Sequence, residues 1–507
     1  MTLLTKLLEP LQFSFMQQGL IGAVLVGVVC AVMGSFLLVK RWALLGDAIS
    51  HAVLPGVAIA FLLGLPFVIG ALATGLLTAL GIGFVERHTR IKQDAAMGLL
   101  FVSAFALGLA IISRIRSPVD LFHVLFGNVL AVSRQDLLLT AASGVVVLAT
   151  VAFLYKELLM WSFDPIMAES VGLPVRTLHY VMLVLTSLTI VASLQAVGIV
   201  LVIAMLIAPP ATAILLTDRF HRLVFLAAGI GVLSAVGGLY LSYFLDVASG
   251  ATMVLVSTLF FATALFFSPR RGLVPRAIRR RRAANDARIG DYLKALFSPA
   301  SETPVSQEAL AGRLRDTPAG ASAVTRQLGR LGLAETTAEG VRLTPEGRRR
   351  AAQVVRTHRL WERFLVDRAG LPWDEVHATA DRIEHDSTPA VTDALASAVA
   401  GQATDPHGAP IPTKDGVVAP RAVEYLLSEL RTGQTAVVTS VEDEDPDVLR
   451  DLSALGLVPG TAVRLLDATG ESLRVALDAG ERAVSRRVAR SVLVVRHPTH
   501  DARHDSR

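Results

Sequence analysis

Residues 41–56 read RWALLGDAISHAVLPG, and this stretch decides how the first half of the chain is interpreted. Asp47 and His51 are four residues apart, so they fall on one face of a helix at the start of an apolar run. Ionisable groups inside a membrane are costly and usually functional, and a carboxylate with an imidazole suits Mn²⁺, Fe²⁺ or Zn²⁺. The spacing alone equally allows a hydrogen bond between Asp47 and His51 at a helix end, without metal.

Apolar runs recur on both sides of this stretch. They lie near residues 19–39, 52–64, 66–85, 97–113, 137–155, 177–193, 196–216, 223–245 and 251–268. A membrane-spanning helix needs roughly 20 apolar residues, so we expect eight or nine crossings, with 121–132 as a candidate re-entrant segment. We expect interruptions at Leu54-Pro55-Gly56 and Ala208-Pro209-Pro210, and broken helices at membrane depth favour a transporter over a simple anchor.

Charge divides the 507 residues into two parts. Residues 1–268 contain 13 Lys/Arg and 11 Asp/Glu, whereas the remainder contains 35 and 32, so the first part is predicted to lie in the membrane and the second to be soluble. The net charge of +5 indicates no particular partner. Cys30 is the only cysteine, which excludes a disulfide framework.

A cluster of arginines follows the last apolar run, at positions 270, 271, 276 and 279–282. Positive charge next to a span marks its cytoplasmic end. We therefore expect a multi-pass protein of the plasma (inner) membrane whose C-terminal domains are cytoplasmic. A nucleic-acid-binding patch is the alternative interpretation of the same arginines.

The soluble part is predicted to contain several small domains. Helices at 291–297, 306–315 and 321–331 and strands at 333–336 and 340–343 have the order of a winged helix, and helices at 345–369 and 373–386 follow. Four β-like runs at 435–441, 462–467, 473–477 and 491–495 suggest a small SH3-like β-barrel. The predicted fold is thus an all-α polytopic membrane domain followed by winged-helix, helical and SH3-like domains. The boundaries are 1–270 membrane domain, 271–288 basic linker, 289–348 winged helix, 349–404 helical metal-binding and dimerisation domain, 405–425 linker, 426–496 SH3-like domain and 497–507 disordered tail.

Two predicted helices of the soluble part carry side chains that suit a metal ion. His377, Asp381, Glu384 and His385 fall at i, i+4, i+7 and i+8 on one helical face, and His358 and Glu362 form another i,i+4 pair. Nitrogen and oxygen donors without a thiol suit Mn²⁺ or Fe²⁺ better than Cu⁺. A solvated charged face is the alternative. His497, His500 and His504 belong to the polar tail, where disorder is the favoured interpretation over metal binding.

The first part of the chain resembles the manganese/zinc/iron ABC permease family. The resemblance covers residues 15–268 and is carried by 41–56, by IKQDAAMG at 91–98, by DLFHVLFG at 120–127, and by QAVG at 195–198 running into IAPPA at 207–211. It implies that Asp47 and His51 take part in metal passage, and that the segment 163–174 with Asp164, Ala168 and Gly172 docks on an ATPase. By itself that segment could be an ordinary loop.

The same resemblance implies a set of partners. No lysine follows a glycine in this chain, so a P-loop is absent and the chain is not itself an ATP-hydrolysing enzyme. The partners are then a separate ABC ATPase subunit, an extracytoplasmic metal-binding protein, and a second permease copy in a homodimer or paired permease.

Residues 289–420 resemble the diphtheria-toxin-repressor family of iron/manganese-dependent regulators. The motifs are VRTHRLWERFL at 355–365, WDEVH at 373–377, IEH at 383–385 and DPHGAPIP at 405–412, and the segment 426–495 with LVPG at 457–460 is similar to that family's SH3-like domain. The resemblance assigns two metal sites. One contains Asp291, Asp381, Glu384 and His385, and the other contains His358, Glu362 and His377. Asp381 favours manganese over iron, whereas Lys294 stands where manganese members favour a carboxylate.

The predicted helix 321–331 offers Ser322, Thr325, Arg326, Gln327 and Arg330 for contacts with phosphates and base edges. Two hypotheses follow. Either the fused module is a metal-dependent DNA-binding repressor, or it is a metal sensor that inhibits transport without binding DNA. A membrane-anchored receptor without transport is a third, different class, which the broken helices and the coupling-type segment disfavour.

Overall fold

The chain forms two compact units, Met1–Ile278 and Arg279–Arg507. The computed structural model describes residues 9–90, 92–114, 129–297, 303–420, 422–442, 445–468, 471–478 and 480–496. Several predicted features lie outside the described residues, namely Ile91, the motif at 120–127, most of the re-entrant candidate, and the tail with His497, His500 and His504.

The first unit is a bundle of apolar helices. In its described part, nine helical stretches are long and apolar enough to cross a membrane, which agrees with the eight or nine predicted crossings. In chain order the helices are α1 (Ser14–Val39), α2 (Ala43–Ala52), α3 (Leu54–Leu63), α4 (Phe67–His88), α5 (Gln93–Ile112), α6 (Arg134–Phe153), α7 (Tyr155–Phe163), α8 (Pro165–Ser170), α9 (Val175–Val197), α10 (Ile199–Leu216), α11 (Phe220–Leu245) and α12 (Ser249–Phe267). Helix α1 packs against α6, α9, α10 and α11 and lies in the main apolar core.

The first predicted interruption is present. One membrane-spanning stretch, Ala43–Leu63, is made of α2 and α3, which meet at Val53. Pro55 lacks a backbone N–H and is accommodated in the first turn of α3. A Cβ at Gly56 would lie 2.0 Å from the carbonyl oxygen of Gly70, so α3 and α4 touch backbone to backbone. Helix α2, on the N-terminal side of this break, carries Asp47 and His51.

The prediction of a second interruption, at Ala208-Pro209-Pro210, is wrong. Helix α10 continues through Pro209 and Pro210. Proline removes the hydrogen bond to the carbonyl four residues earlier, which for Pro210 is that of Leu206. This carbonyl faces Gly34 of α1, where an added Cβ would lie 1.8 Å from the oxygen. Helix α1 therefore touches α10 backbone to backbone at the turn that contains the two prolines.

The second unit begins with the predicted winged-helix order. Its elements are α13 (Leu273–Leu296), α14 (Gln307–Arg313), α15 (Pro318–Arg330), β1 (Ala334–Thr337) and β2 (Gly340–Leu343), and the two strands pair antiparallel. Ser306 caps α14, accepting a hydrogen bond from the N–H of Ala309 at 3.1 Å. Helix α13 includes most of the predicted linker 271–288, because the alanines and arginines of that segment favour helix.

Helices and a β-sheet complete the second unit. They are α16 (Pro345–Asp367), α17 (Val376–Glu384), α18 (Pro389–Ala398), β3 (Tyr425–Leu426), β4 (Thr435–Val441), α19 (Pro446–Leu455), β5 (Ala462–Asp467), β6 (Ser472–Leu477), β7 (Gly480–Ser485), α20 (Arg486–Ala489) and β8 (Val492–Arg496). The strands form one antiparallel sheet in the order β3-β8-β4-β5-β6-β7, with its own apolar core. The four predicted strands are confirmed. Sequence reasoning missed β3, β7, α18 and α19.

Candidate metal centres

The predicted pair in the membrane unit lies on α2. Oδ1 of Asp47 and Nε2 of His51 are 3.4 Å apart, and the side chains are 44% and 34% exposed. The rings of Phe101 and Phe105 on α5 flank His51, with centroid distances of 5.5 and 5.7 Å. Within the part of the chain that the structure describes, no third His, Cys, Asp or Glu completes a metal-sized group with this pair. Among the described residues, this position thus offers two ligand side chains.

The segment predicted to dock an ATPase contains α8. The carboxylate of Asp164 accepts hydrogen bonds from the N–H groups of Ile166 and Met167, at 3.0 and 2.9 Å, and so caps the helix. Ala168 is fully buried, and Gly172 has a φ of 84°, which favours glycine. The three predicted residues therefore shape the segment. Its exposed face is apolar instead, with Ile166 81% and Met167 53% exposed.

Three side chains of α16 and α17 meet at one point in the second unit. Oε1 of Glu362 lies 2.9 Å from Nε2 of His358 and 2.9 Å from Nδ1 of His377, and those two nitrogens are 3.0 Å apart. All three side chains are at most 15% exposed. The i,i+4 spacing on α16 brings His358 and Glu362 together, and the neighbouring helix α17 supplies His377. The predicted group is thus assembled as three converging ligand atoms.

The outer nitrogens of both imidazoles face carboxylates. Nδ1 of His358 is hydrogen-bonded to Oε2 of Glu384, and Nε2 of His377 lies 3.5 Å from Oδ2 of Asp381. Histidines that bind metal almost always donate their other N–H to a carboxylate or a carbonyl, which fixes the tautomer and the ring orientation. Glu384 and Asp381 therefore stand where they would orient His358 and His377.

A further histidine, His407, faces the same carboxylate from the predicted linker 405–425. Its Nε2 lies 3.0 Å from the carbonyl oxygen of Trp373, and its Nδ1 lies 3.9 Å from Oε2 of Glu362. Asp405 holds this loop, because its Oδ1 accepts two backbone N–H groups of the loop and its Oδ2 lies 3.3 Å from Nε of Arg359. Sequence reasoning missed His407 as a site residue, although it stands in the quoted DPHGAPIP motif.

The other predicted metal group, which contains Asp291, Asp381, Glu384 and His385, is assembled only in part. Nε2 of His385 lies 3.1 Å from Oδ1 of Asp291 and 3.6 Å from Oε1 of Glu384, so these three residues come together. Asp381 was predicted to join them but lies elsewhere. Its Oδ1 is 2.6 Å from Nζ of Lys294, and it groups with His358 and Glu384. The ammonium attracts this carboxylate, which explains the difference.

Charge shifts protonation throughout the cluster. Burial would lower the pKa of His358, but the carboxylate of Glu362 outweighs it and raises that pKa. Burial would raise the pKa of Glu362, but His358 and His377 outweigh it and lower that pKa. A hydrogen bond with Asp291 raises the pKa of His385. Without metal, the imidazoles beside these carboxylates therefore tend to hold a proton. A divalent ion that binds an imidazole nitrogen would compete with that proton.

The donor set fits a divalent first-row ion. Its atoms are imidazole nitrogens and carboxylate oxygens, which suit Mn²⁺, Fe²⁺ or Zn²⁺. A cavity of about 840 Å³ reaches the group, and its lining includes Glu362, His377 and His407. The carboxylate of Glu362 is only 3% exposed, and a carboxylate buried to this extent requires a compensating charge. The residues present therefore fit one ion bound at His358, Glu362 and His377.

The predicted recognition helix, α15, exposes only some of the residues predicted to contact DNA. Arg326 and Arg330 are exposed, and Ser322 is half-buried. Thr325 is buried, and its hydroxyl donates to the carbonyl of Ala321 at 3.0 Å. The prediction for Thr325 is therefore wrong, because this side chain faces the domain core.

Three family models match consecutive regions of the chain. The model described as ABC 3 transport family matches residues 12–268. The model described as iron dependent repressor, metal binding and dimerisation domain matches residues 344–413, and the FeoA domain model matches residues 425–496. The first match covers the membrane unit. The second covers His358, Glu362 and His377, and the third covers the domain formed by strands β3 to β8.

Individual relatives align with the first region. The manganese transport system membrane protein MntC of Halalkalibacterium halodurans is 53% identical, over 54% of this chain and 94% of that protein. The probable iron transport system membrane protein of Haemophilus influenzae is 44% identical, over 52% of this chain and 98% of that protein. The solved structure of PsaBC from Streptococcus pneumoniae in complex with Fab has 40% sequence identity and a TM-score of 0.50, covering 55% of this chain and 100% of that chain.

Proposed function

The chain belongs to the ABC 3 transport family through residues 12–268, and on this premise we propose that it is the membrane permease of an importer for divalent transition-metal ions. The observation that carries the proposal is the Asp47–His51 pair on α2, inside a membrane-spanning stretch. Relatives named for manganese and iron transport point to Mn²⁺ or Fe²⁺ as cargo. Zn²⁺ is a third candidate, because it accepts the same ligand types.

The permease works as a pair. Asp47 is 44% exposed within a span, and a carboxylate facing lipid is costly. A second copy over this face of α2 would cover both side chains and add its own Asp47 and His51 as ligands. A homodimer, or a pairing with a related permease, therefore completes the transport site.

Two further partners follow from the chemistry of import. The chain has no P-loop sequence, so a separate ATPase subunit hydrolyses ATP. The exposed apolar face of α8, with Ile166 and Met167, is the surface offered to that subunit. An extracytoplasmic metal-binding protein delivers the ion at the opposite side of the membrane.

The fused soluble unit senses metal in the cytoplasm. The site of His358, Glu362 and His377 binds Mn²⁺ or Fe²⁺, and the ion changes the state of the unit. The exposed Arg326 and Arg330 on α15 favour a metal-dependent DNA-binding repressor that couples uptake to transcription. The alternative is a sensor that slows transport when metal is abundant and binds no DNA.

Transport in reconstituted vesicles tests the permease function. Vesicles containing the chain and its ATPase should take up radioactive Mn²⁺ when ATP is supplied inside together with the metal-binding protein outside. Asp47→Ala and His51→Ala should each abolish uptake at unchanged protein levels. The control is His88→Ala, which removes an exposed imidazole stacked on Phe84 at the end of α4. Uptake at the wild-type rate in both α2 variants would contradict the proposal.

A further inference from the structure

A fixed positive charge lies inside the candidate sensor site. Nζ of Lys294 is 2.6 Å from Oδ1 of Asp381, 3.2 Å from Nδ1 of His358 and 4.0 Å from Oε1 of Glu384. The lysine side chain is only 20% exposed, and that of Glu384 is 2% exposed. Asp381, His358 and Glu384 are themselves a group whose ligand atoms lie within 4.8 Å of one another. The ammonium therefore stands among the atoms of this group and beside Glu384, which is also part of the candidate group with Asp291 and His385.

The charges of the cluster balance with one ion. Glu362, Asp381 and Glu384 supply three negative charges when ionised. One divalent ion and the Lys294 ammonium supply three positive charges. A second divalent ion would leave an excess of two positive charges in a largely buried site, where an uncompensated charge is costly. It would also have to displace the ammonium from Asp381.

The carboxylates beside Lys294, those of Asp381 and Glu384, also contact the histidines of the candidate metal site. Glu384 is hydrogen-bonded to Nδ1 of His358, whose other nitrogen faces Glu362 and His377. Asp381 faces the outer nitrogen of His377. Carboxylates in these positions orient the imidazoles toward one ion and are not needed as ligands of a second.

We propose that the Lys294 ammonium takes the place of a second metal ion, so that the sensor responds to a single divalent ion bound at His358, Glu362 and His377. The inference rests on the proposed sensing function. The single charge of Lys294 offsets one of the two negative charges of Asp381 and Glu384, whatever the metal concentration. The response then follows the occupancy of one site, and it is not cooperative between two ions.

Counting ions tests this inference on the full chain. The protein carries Asp47→Ala and His51→Ala to remove the transport site, is equilibrated with Mn²⁺ in detergent, and is analysed for bound manganese by mass spectrometry. With Lys294 intact we expect one ion per chain. Lys294→Glu should bind two, because it exchanges the cation for a ligand. Lys414→Glu is the matched control, since Lys414 is the other lysine of residues 279–507 and pairs at the surface with Asp393, and it should bind one.

A second measurement covers the case in which Lys294→Glu folds poorly. Lys294→Met removes the charge without adding a ligand, and it should lower the thermal midpoint of the metal-free protein while Lys414→Met leaves that midpoint unchanged. Where Lys294→Glu does fold, its electron paramagnetic resonance spectrum should show two coupled Mn²⁺ ions in place of the isolated ion of the parent.

The outcomes separate the two levels of the proposal. Two ions in the protein with Lys294 intact, or a single ion in folded Lys294→Glu, would overturn the role of Lys294 and leave the sensing function standing. No bound ion in any variant would overturn the sensing function, and the role of Lys294 with it.

Discussion

Nδ1 of His407 faces Oε2 of Glu362 at 3.9 Å, a distance too long for a hydrogen bond. The other ring nitrogen lies 3.0 Å from the carbonyl oxygen of Trp373 and must donate its proton there. In the neutral ring, Nδ1 therefore presents a lone pair to a carboxylate oxygen. Two acceptors in a buried site face each other stably only across a proton, a metal ion or a water molecule. This arrangement, with a carbonyl on the outer nitrogen, is typical of a metal-binding histidine.

We expect His407→Ala to weaken Mn²⁺ binding by the sensor about tenfold, or about 1.4 kcal/mol, because one potential ligand and the wall of the site are lost. Isothermal titration of the full chain with Mn²⁺, in the background of Asp47→Ala and His51→Ala, measures the change. The matched control is His88→Ala, which should bind as tightly as the parent. Equal dissociation constants for His407→Ala and the parent would make His407 a purely structural residue.

The stability of the metal-free protein and its affinity for metal should both depend on pH, in opposite directions. The raised pKa values of His358 and His385 mean that the folded, metal-free protein holds these protons more tightly than the unfolded chain. The stabilisation from these protons is fully present below the ordinary pKa of about 6.5, and it is lost as the pH rises through the raised values. A metal ion bound at His358 must displace a proton of that imidazole, so its binding strengthens over that range.

We therefore expect opposite trends between pH 6 and pH 8. The thermal midpoint of the metal-free soluble unit, followed in the full chain, should fall, and the increase in that midpoint caused by a fixed Mn²⁺ concentration should grow. A ligand that binds only the folded state at 100 times its dissociation constant stabilises by about 2.7 kcal/mol, which is large enough to measure. An increase that is constant across this range would show that the displaced protons do not come from these imidazoles.

The sequence predicted the residue pairs that share a helical face. It did not predict the side chains whose positions depend on contacts between distant parts of the chain. The i,i+4 pairs Asp47–His51 and His358–Glu362 are local, so spacing alone brought them together. The position of Asp381 depends on Lys294, which is 87 residues away and on another helix. His407 lies in a Pro- and Gly-rich segment with no periodicity, and only the fold brings it to Glu362. Helix α10 continues through Pro209 and Pro210, which the local rule that proline ends a helix did not predict.

The exposed apolar face of α8 leads to a prediction about the ATPase. Ile166→Glu should weaken binding of the ATPase by about 2 kcal/mol, roughly thirtyfold, because a charge replaces an apolar anchor at an interface. Co-purification of the ATPase and Mn²⁺ uptake should fall together at unchanged expression. Asp164 is unsuitable for this test because it caps the helix.

Val417→Glu is the control for α8, since Val417 is a similarly exposed apolar residue in the soluble unit. It should leave co-purification of the ATPase unchanged. Crosslinkers placed at Met167 should also capture the ATPase in the membrane. Wild-type co-purification by Ile166→Glu, together with no crosslink from Met167, would assign the docking surface to another segment.

DNA binding by the soluble unit should depend on Arg326 and Arg330. Each exposed arginine that neutralises a phosphate contributes about one unit to the dependence of log affinity on log salt concentration. We expect Mn²⁺ to strengthen binding of the full chain to duplex DNA, and Arg326→Ala or Arg330→Ala to reduce both the affinity and the salt slope. Fluorescence anisotropy over a series of salt concentrations measures both quantities.

Two further variants complete the DNA test. Arg464→Ala removes an exposed arginine from β5 of the sheet domain and should keep the full salt slope. Thr325→Val should also keep it, because the hydroxyl of Thr325 is buried in the domain core and cannot reach DNA. A chain that binds Mn²⁺ with the affinity of the sensor site but shows no metal-dependent DNA affinity at low salt would instead favour a sensor that acts on transport. The same Mn²⁺ concentration should then slow uptake in vesicles, and removing the sensor ligands His358 and His377 should restore the rate.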